Sequence, residues 1–127
     1  KMKIVNIILF LLFVFVITVD AKTYKVALFT PKGDSPFWTL VANFGKEAAN
    51  DLGMELHVYD AKLNHLKMVD QVRSAVTGPN RVDAIVFPNY KKRGLQILNI
   101  IEKEKVYAML FNSPIESETD LGEPREK

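Results

Sequence analysis

Val82-Asp-Ala-Ile-Val-Phe87 decides the fold. Its last four residues, Ala84-Ile85-Val86-Phe87, are apolar without alternation, so the strand they form needs cover on both faces. Such a strand sits inside a parallel sheet. Upstream, Leu66, Val69, Val72 and Val76 recur at helical spacing and predict a helix from about Leu66 to Thr77, ended by Gly78-Pro79. Downstream, Leu95, Leu98 and Ile101 give the inward side of a helix from about Lys92 to Lys105. Val106 to Phe111 follows as another nearly all-apolar strand. Farther upstream, Glu55 to Asp60 reads as a strand. Before it, Phe37, Leu40, Val41, Phe44 and Ala48 predict the buried stripe of a helix. Ser35 is placed to cap that helix, Pro36 fits its first position and Gly53 its end. Tyr24-Lys-Val-Ala-Leu-Phe-Thr30 opens the series as a strand.

The order is β-α-β-α-β-α-β. Strands alternating with helices require parallel pairing, because each return passes through a crossover. The expected fold class is α/β, a Rossmann-like open parallel sheet with helices on both faces. Right-handed crossovers restrict the topology, and the strand order expected is 2-1-3-4.

The chain has 127 residues with 17 basic and 15 acidic ones, a formal charge of +2. Lys1 and Lys3 precede Ile7 to Val19, apolar throughout except for Thr18, and then comes Val19-Asp20-Ala21. That layout is a secretory signal peptide over residues 1–21, cleaved after Ala21. The apolar run is shorter than the ~20 residues a spanning helix needs. A 21-residue leader taken from 127 leaves 106 residues at a formal charge of +1. That balance lacks the basic stripe of a nucleic-acid binder. No cysteine is present, which excludes a disulfide scaffold, a thiolate metal site, a cysteine nucleophile and a lipid anchor on cysteine. Residues 22–112 are expected to form the domain. From Ser113 the sequence turns polar, and 113–127 is expected to be a tail leading into a truncated remainder.

Ligands in open parallel sheets sit beyond the carboxyl ends of the strands, where strand order reverses. With order 2-1-3-4 that point lies between strands 1 and 3, so the candidates follow strands 1, 3 and 4. Phe37 and Trp38 are neighbours on a helix and point about 100° apart. Because Phe37 belongs to the predicted buried stripe, Trp38 is expected to turn toward the cleft as a stacking platform for a sugar ring. Core or rim packing is the alternative for both. Ser35 serves as a cap, a ligand contact, or both. Asn89 and Asn112 directly follow buried strands and carry amides suited to hydroxyl groups, or to capping a turn. Tyr90 lines the cleft or lies over the helix.

No catalytic constellation appears. The sequence has no G-x-G-x-x-G, Walker A loop or G-x-S-x-G elbow. His57 and His65 lack metal-ligand spacing, and no metal or other cofactor is expected. Lys91-Lys92-Arg93 reads as a solvated basic face. Asp34 and Asp60 follow strands 1 and 2 without a second carboxylate or base beside them.

Ala27-Leu-Phe-Thr-Pro-Lys-Gly-Asp-Ser-Pro-Phe-Trp38 resembles the first strand, loop and helix start of type I periplasmic solute-binding proteins. These are the ribose- and galactose-binding-like receptors of ABC importers. Asp83-Ala-Ile-Val-Phe-Pro88 is similar to the family's third strand, and Val106-Tyr-Ala-Met-Leu-Phe-Asn112 to its fourth. Gly122-Glu-Pro-Arg-Glu-Lys127 resembles a segment of a subgroup near the autoinducer-2 receptors. The resemblance covers the leader and all that follows it. It implies a non-enzymatic, periplasmic receptor for a small polar, sugar-like ligand, serving a membrane importer or a sensor kinase. It also implies contact roles for Ser35, Phe37, Trp38, Asn89 and Asn112. Three places depart from the sugar-binding pattern. Ser35 stands for the more usual Asn, Asn112-Ser113 for Asp-Arg, and Pro88-Asn89-Tyr90 for a small, acidic loop.

The family has two lobes, and this sequence stops before a crossing between them. A fragment of a longer receptor is therefore expected, with weak or no binding by the chain alone. A phosphoacceptor receiver is disfavoured. It needs an acidic cluster after strand 1 and an Asp ending strand 3, where this chain has Thr30-Pro31-Lys32 and Phe87-Pro88-Asn89. The remaining alternative is a small secreted flavodoxin-like interaction module without ligand.

Overall fold

The computed structural model describes residues 22–115. The signal-peptide reading and residues 116–127 of the tail lie outside them. Four strands and three helices alternate: β1 (Lys25–Thr30), α1 (Pro36–Asp51), β2 (Glu55–Asp60), α2 (His65–Thr77), β3 (Ala84–Phe87), α3 (Gly94–Glu104) and β4 (Tyr107–Leu110). The sheet order is β2-β1-β3-β4 with every pairing parallel, as the sequence implies. Val26 is opposite Leu56 on one side and Ala84 on the other, so β1 is central at the point of reversal.

One face of the sheet is closed. Ala27 and Phe29 of β1 and Ile85 and Phe87 of β3 point toward α2 and α3 and are buried with Met68, Val72, Val76, Ile97 and Ile101. Phe29 stacks on Tyr59 with ring centroids 5.0 Å apart. This unbroken apolar contact is the main source of stability, since a fully buried aromatic side chain contributes about 1.5–3 kcal/mol by transfer alone.

The helix limits follow local chemistry. Ser35 caps α1, its hydroxyl accepting from the Trp38 N–H at 3.4 Å, and Pro36 stands at the helix start. Gly53, at φ +64°, makes the left-handed turn after α1. Asn64 caps α2 by accepting from the Leu66 and Lys67 N–H groups. The helix expected from Lys92 begins instead at Gly94, after a 3₁₀ turn over Tyr90–Lys92. Asn89 explains the delay: its side-chain carbonyl accepts from the Gly94 N–H at 2.8 Å and holds the turn closed before the helix starts. β3 is shorter than Val82 to Phe87, because the Val82 N–H bonds to the Ala75 carbonyl rather than to a strand.

Two predicted stripes are corrected. On α2, Leu66 is exposed, and Met68 and Ala75 join Val69, Val72 and Val76 inside. On α1, the sheet-facing line runs Trp38, Val41, Gly45, Ala49, while Phe37, Leu40 and Phe44 are exposed. Close approach is the reason. A Cβ on Gly45 would stand 3.1 Å from the Leu56 side chain, so the line touching the sheet must be small there. Phe44 and Leu40 are too large for it.

Candidate functional site

The carboxyl ends of β1, β3 and β4 open onto one side of the sheet, at the point of strand reversal. The loop after β1 is fixed from below. The Asp60 carboxylate, ending β2, accepts from the Gly33 N–H at 2.9 Å and the Lys62 N–H at 2.8 Å. A Cβ on Gly33 would come within 3.0 Å of the Asp60 carboxyl carbon, so glycine permits this contact. Burial pushes the Asp60 carboxyl up, but those two N–H donors and the charges of Lys67 and Lys62 prevail and hold it below the usual carboxylate range. Thr39 ties the start of α1 to the same loop by donating to the Gly33 carbonyl at 2.9 Å.

The aromatic pair is arranged in the reverse of the expected sense. Trp38 is only 8% exposed, and Phe37 is 49% exposed. The indole meets the Phe37 ring edge-on at 5.1 Å and the Phe111 ring edge-on at 6.2 Å. Trp38 therefore packs between α1 and Phe111 just beyond β4, and Phe37 is the exposed ring of the pair. The interchange has the same origin as the corrected stripe: Trp38 leads the sheet-facing line, and Phe37 lies on the helix flank.

The polar candidates divide into two kinds. Asn89 is committed to backbone, its amide donating to the Pro114 carbonyl at 2.8 Å while its oxygen accepts from Gly94. It joins the loops after β3 and β4. A Cβ on Gly94 would meet the Asn89 oxygen at 2.8 Å, so this clasp also needs glycine. Tyr90 donates its hydroxyl to the Leu63 carbonyl at 3.2 Å and fastens the loop after β3 to the loop after β2. The Ser35 hydroxyl is the helix cap. Asn112, by contrast, is exposed and held in the left-handed region at φ +68° just beyond β4. Phe37 and Asn112 are thus the exposed side chains of the six, while Ser35, Trp38, Asn89 and Tyr90 are engaged in packing or in bonds to backbone.

Sequence reasoning missed Phe111 as the wall behind Trp38, and Asp60 as the anchor of the β1 loop. An Asp accepting from the N–H two residues on is a recognisable turn pattern, so Asp60 and Lys62 carried a usable signal. No group of three or more His, Cys, Asp or Glu that would hold a metal occurs among the described residues. None of the described helices is long and apolar enough to cross a membrane.

No protein-family profile matches the chain, and no curated protein sequence matches it. Solved structures do. A periplasmic sugar-binding protein from Pseudomonas fluorescens superimposes with a TM-score of 0.68 at 24% identity, over 76% of this chain and 29% of that one. The fold is that of the type I periplasmic binding proteins. A second such protein, the periplasmic component of the arabinose ABC transporter from Shewanella sp. ANA-3, bound to α- and β-L-arabinofuranose, gives a TM-score of 0.60 at 22% identity. That match covers 68% of this chain and 28% of the other. At these identities the likeness is one of fold. The chain spans less than a third of the length of either periplasmic binding protein.

Proposed function

We propose that this chain is the part of a periplasmic receptor that forms one wall of a sugar-binding cleft. It acts by binding, without catalysis, and delivers a small polyhydroxylated ligand to a membrane importer or a sensor kinase. Both structural neighbours are described as periplasmic sugar-binding components, one of them holding a furanose. The observation that carries the reading is the half-exposed Phe37 ring, braced edge-on by buried Trp38 at the carboxyl end of the reversal point. An aromatic face at that place stacks on the C–H face of a sugar, and the Asn112 amide supplies a donor and an acceptor for hydroxyls. Asn89, Tyr90 and Ser35 hold the loops that carry these two. A single wall leaves the ligand open to water on its other side, so affinity of the chain alone is weak.

Titration of the isotope-labelled chain with L-arabinose, followed by NMR, tests this. Shifts are expected at Phe37, Asn112 and the loop after β1, and are lost in Phe37→Ala. Perturbation spread evenly over the surface, or none at millimolar sugar, contradicts the reading.

A further inference from the structure

Left-handed backbone is rare outside glycine, because the Cβ then crowds the following carbonyl oxygen. Among the described residues it occurs at Lys62, Leu63, Lys91, Lys92, Lys105 and Asn112. Two of these are ordinary. Lys105 closes α3, and asparagine tolerates the region better than most residues. The other four form two consecutive pairs, Lys62-Leu63 after β2 at φ 51° and 62°, and Lys91-Lys92 after β3 at φ 52° and 58°. The two loops are fastened together. Tyr90 donates its hydroxyl to the Leu63 carbonyl at 3.2 Å, and the Leu63 N–H donates to the Pro31 carbonyl at 2.7 Å. Asp60 accepts from the Lys62 N–H. The backbone of Lys62-Leu63 is thus pinned from both neighbouring loops in a form it would not take unaided, and all four side chains are exposed. Strain imposed by surrounding structure is kept for what the strained segment presents.

What is presented is leucine among cations. Leu63 is 59% exposed, and Leu66, in the first turn of α2, is 54% exposed. A leucine just before a helix cap commonly folds back onto the fourth helical residue, here Met68. Met68 is buried, yet Leu63 stays mostly in water. The same two loops carry Lys62, Lys91 and Lys92, all exposed. The nearby acids are engaged elsewhere. Asp60 accepts from the Gly33 and Lys62 N–H groups, Asp34 faces Lys32 at 3.9 Å, and Asp70 pairs with Arg73 at 3.0 Å. This pairing of residue types indicates the partner. Protein interfaces are depleted in lysine, and their strongest contacts come from Trp, Tyr and Arg rather than leucine. An anionic membrane surface takes the opposite set. Leucine enters the boundary of the acyl region, and lysine on its flexible stem stays among the phosphates.

We propose that the rim formed by the loops after β2 and β3 docks on an anionic lipid surface. Leu63 and Leu66 enter the surface, and Lys62, Lys91 and Lys92 lie at the headgroup phosphates. The contact turns the carboxyl end of the sheet toward the membrane and does not depend on what the cleft binds.

The test titrates the full chain with bicelles of phosphatidylcholine containing about one-third phosphatidylglycerol and a trace of nitroxide-labelled lipid, followed by NMR. The Leu63 and Leu66 methyl signals are expected to broaden, and those of Tyr24 to stay sharper. Tyr24 stands at the other end of the sheet, about 20 Å away along a six-residue strand. Because residues 1–21 precede that end, lipid held by their apolar run alone broadens Tyr24 first, and that result overturns the proposal. Leu63→Asn suits the left-handed backbone and so keeps the loop, and it is expected to cut the broadening at Leu66 at least about fivefold. Lys62→Gln with Lys91→Gln is expected to raise the lipid concentration at the midpoint at least about tenfold. Equal broadening by bicelles of phosphatidylcholine alone overturns the proposal. Sharp Leu63 and Leu66 signals at saturating lipid also overturn it and assign the rim to a protein partner. The sugar titration is read at Phe37 and Asn112, so failure of either reading is distinguishable from failure of the other.

Discussion

The face of the sheet under α2 and α3 and the face under α1 are built from alternate residues of the same strands, yet they differ in every physical respect. Phe29, Ile85 and Phe87 point one way and are sealed. Val26, Leu28, Val86 and Met109 point the other way and line an open groove. The sealed face holds the fold together and fixes the strand ends that shape the cleft. The open face is apolar but covered by α1 only over β1 and β2, and parallel sheets need cover on both sides. An apolar surface of this kind marks a place for further protein.

The largest expected effect lies on the sealed face. Phe87→Ala is expected to cost about 3–5 kcal/mol in urea unfolding, through lost burial and the cavity left behind. Met109→Ala, on the open face, is expected to stay within about 0.5 kcal/mol, as for a surface change. Equal losses at the two positions would break the contrast between the faces. Next in size is Gly94→Ala. Its methyl group displaces the Asn89 oxygen and loosens the clasp between the loops after β3 and β4, for about 1–3 kcal/mol. A wild-type melting curve for that variant would show that the clasp is slack.

Smaller again is the acid response of the β1 loop. The Asp60 carboxyl has its pKa lowered in the fold, so its contribution is full above the ordinary carboxylate range and is lost as pH falls through the depressed folded value. Asp60→Asn keeps an oxygen acceptor for Gly33 and Lys62 but not the charge. It is expected to cost about 1 kcal/mol near neutrality and to flatten the fall in stability below the carboxylate range. An unchanged acid limb would mean that Asp60 does not anchor the loop. Smallest for stability, though visible in behaviour, is Phe44→Lys on the open flank. It is expected to leave unfolding within about 0.5 kcal/mol and to reduce aggregation. Unaltered solubility would argue against a sticky open face.

The architecture was legible in the sequence because Ala84-Ile-Val-Phe87 and the helical spacings around it allow little else. Crossover handedness narrows the strand order without fixing it, and the expected 2-1-3-4 is the order found. The expected site rested on loop positions alone, and the structure reverses the orientation of its aromatic pair. Phe37, Leu40, Val41, Phe44 and Ala48 are truly periodic, and a periodic apolar stripe is normally read as the face on the core. Here the helix carries two apolar lines, and the choice between them was made by Gly45 and Ala49, whose small size admits the sheet. Hydrophobicity alone ranks Phe44 above Gly45, but close approach ranks them the other way. The roles of Asn89 and Tyr90 were hidden for a different reason. Their partners are the carbonyls of Pro114 and Leu63, brought to them only by the fold.

The orientation of α1 underlies both the cleft and the groove, and Trp38 is the only tryptophan in the chain. Its fluorescence is therefore the most direct measurement. With Trp38 wedged between Phe37 and Phe111, emission is expected to lie well to the blue of the unfolded chain, with iodide quenching several-fold weaker in the fold. Emission at the unfolded position with full access to iodide would put Trp38 in the cleft, return Phe37 to the core and contradict the arrangement described for both faces.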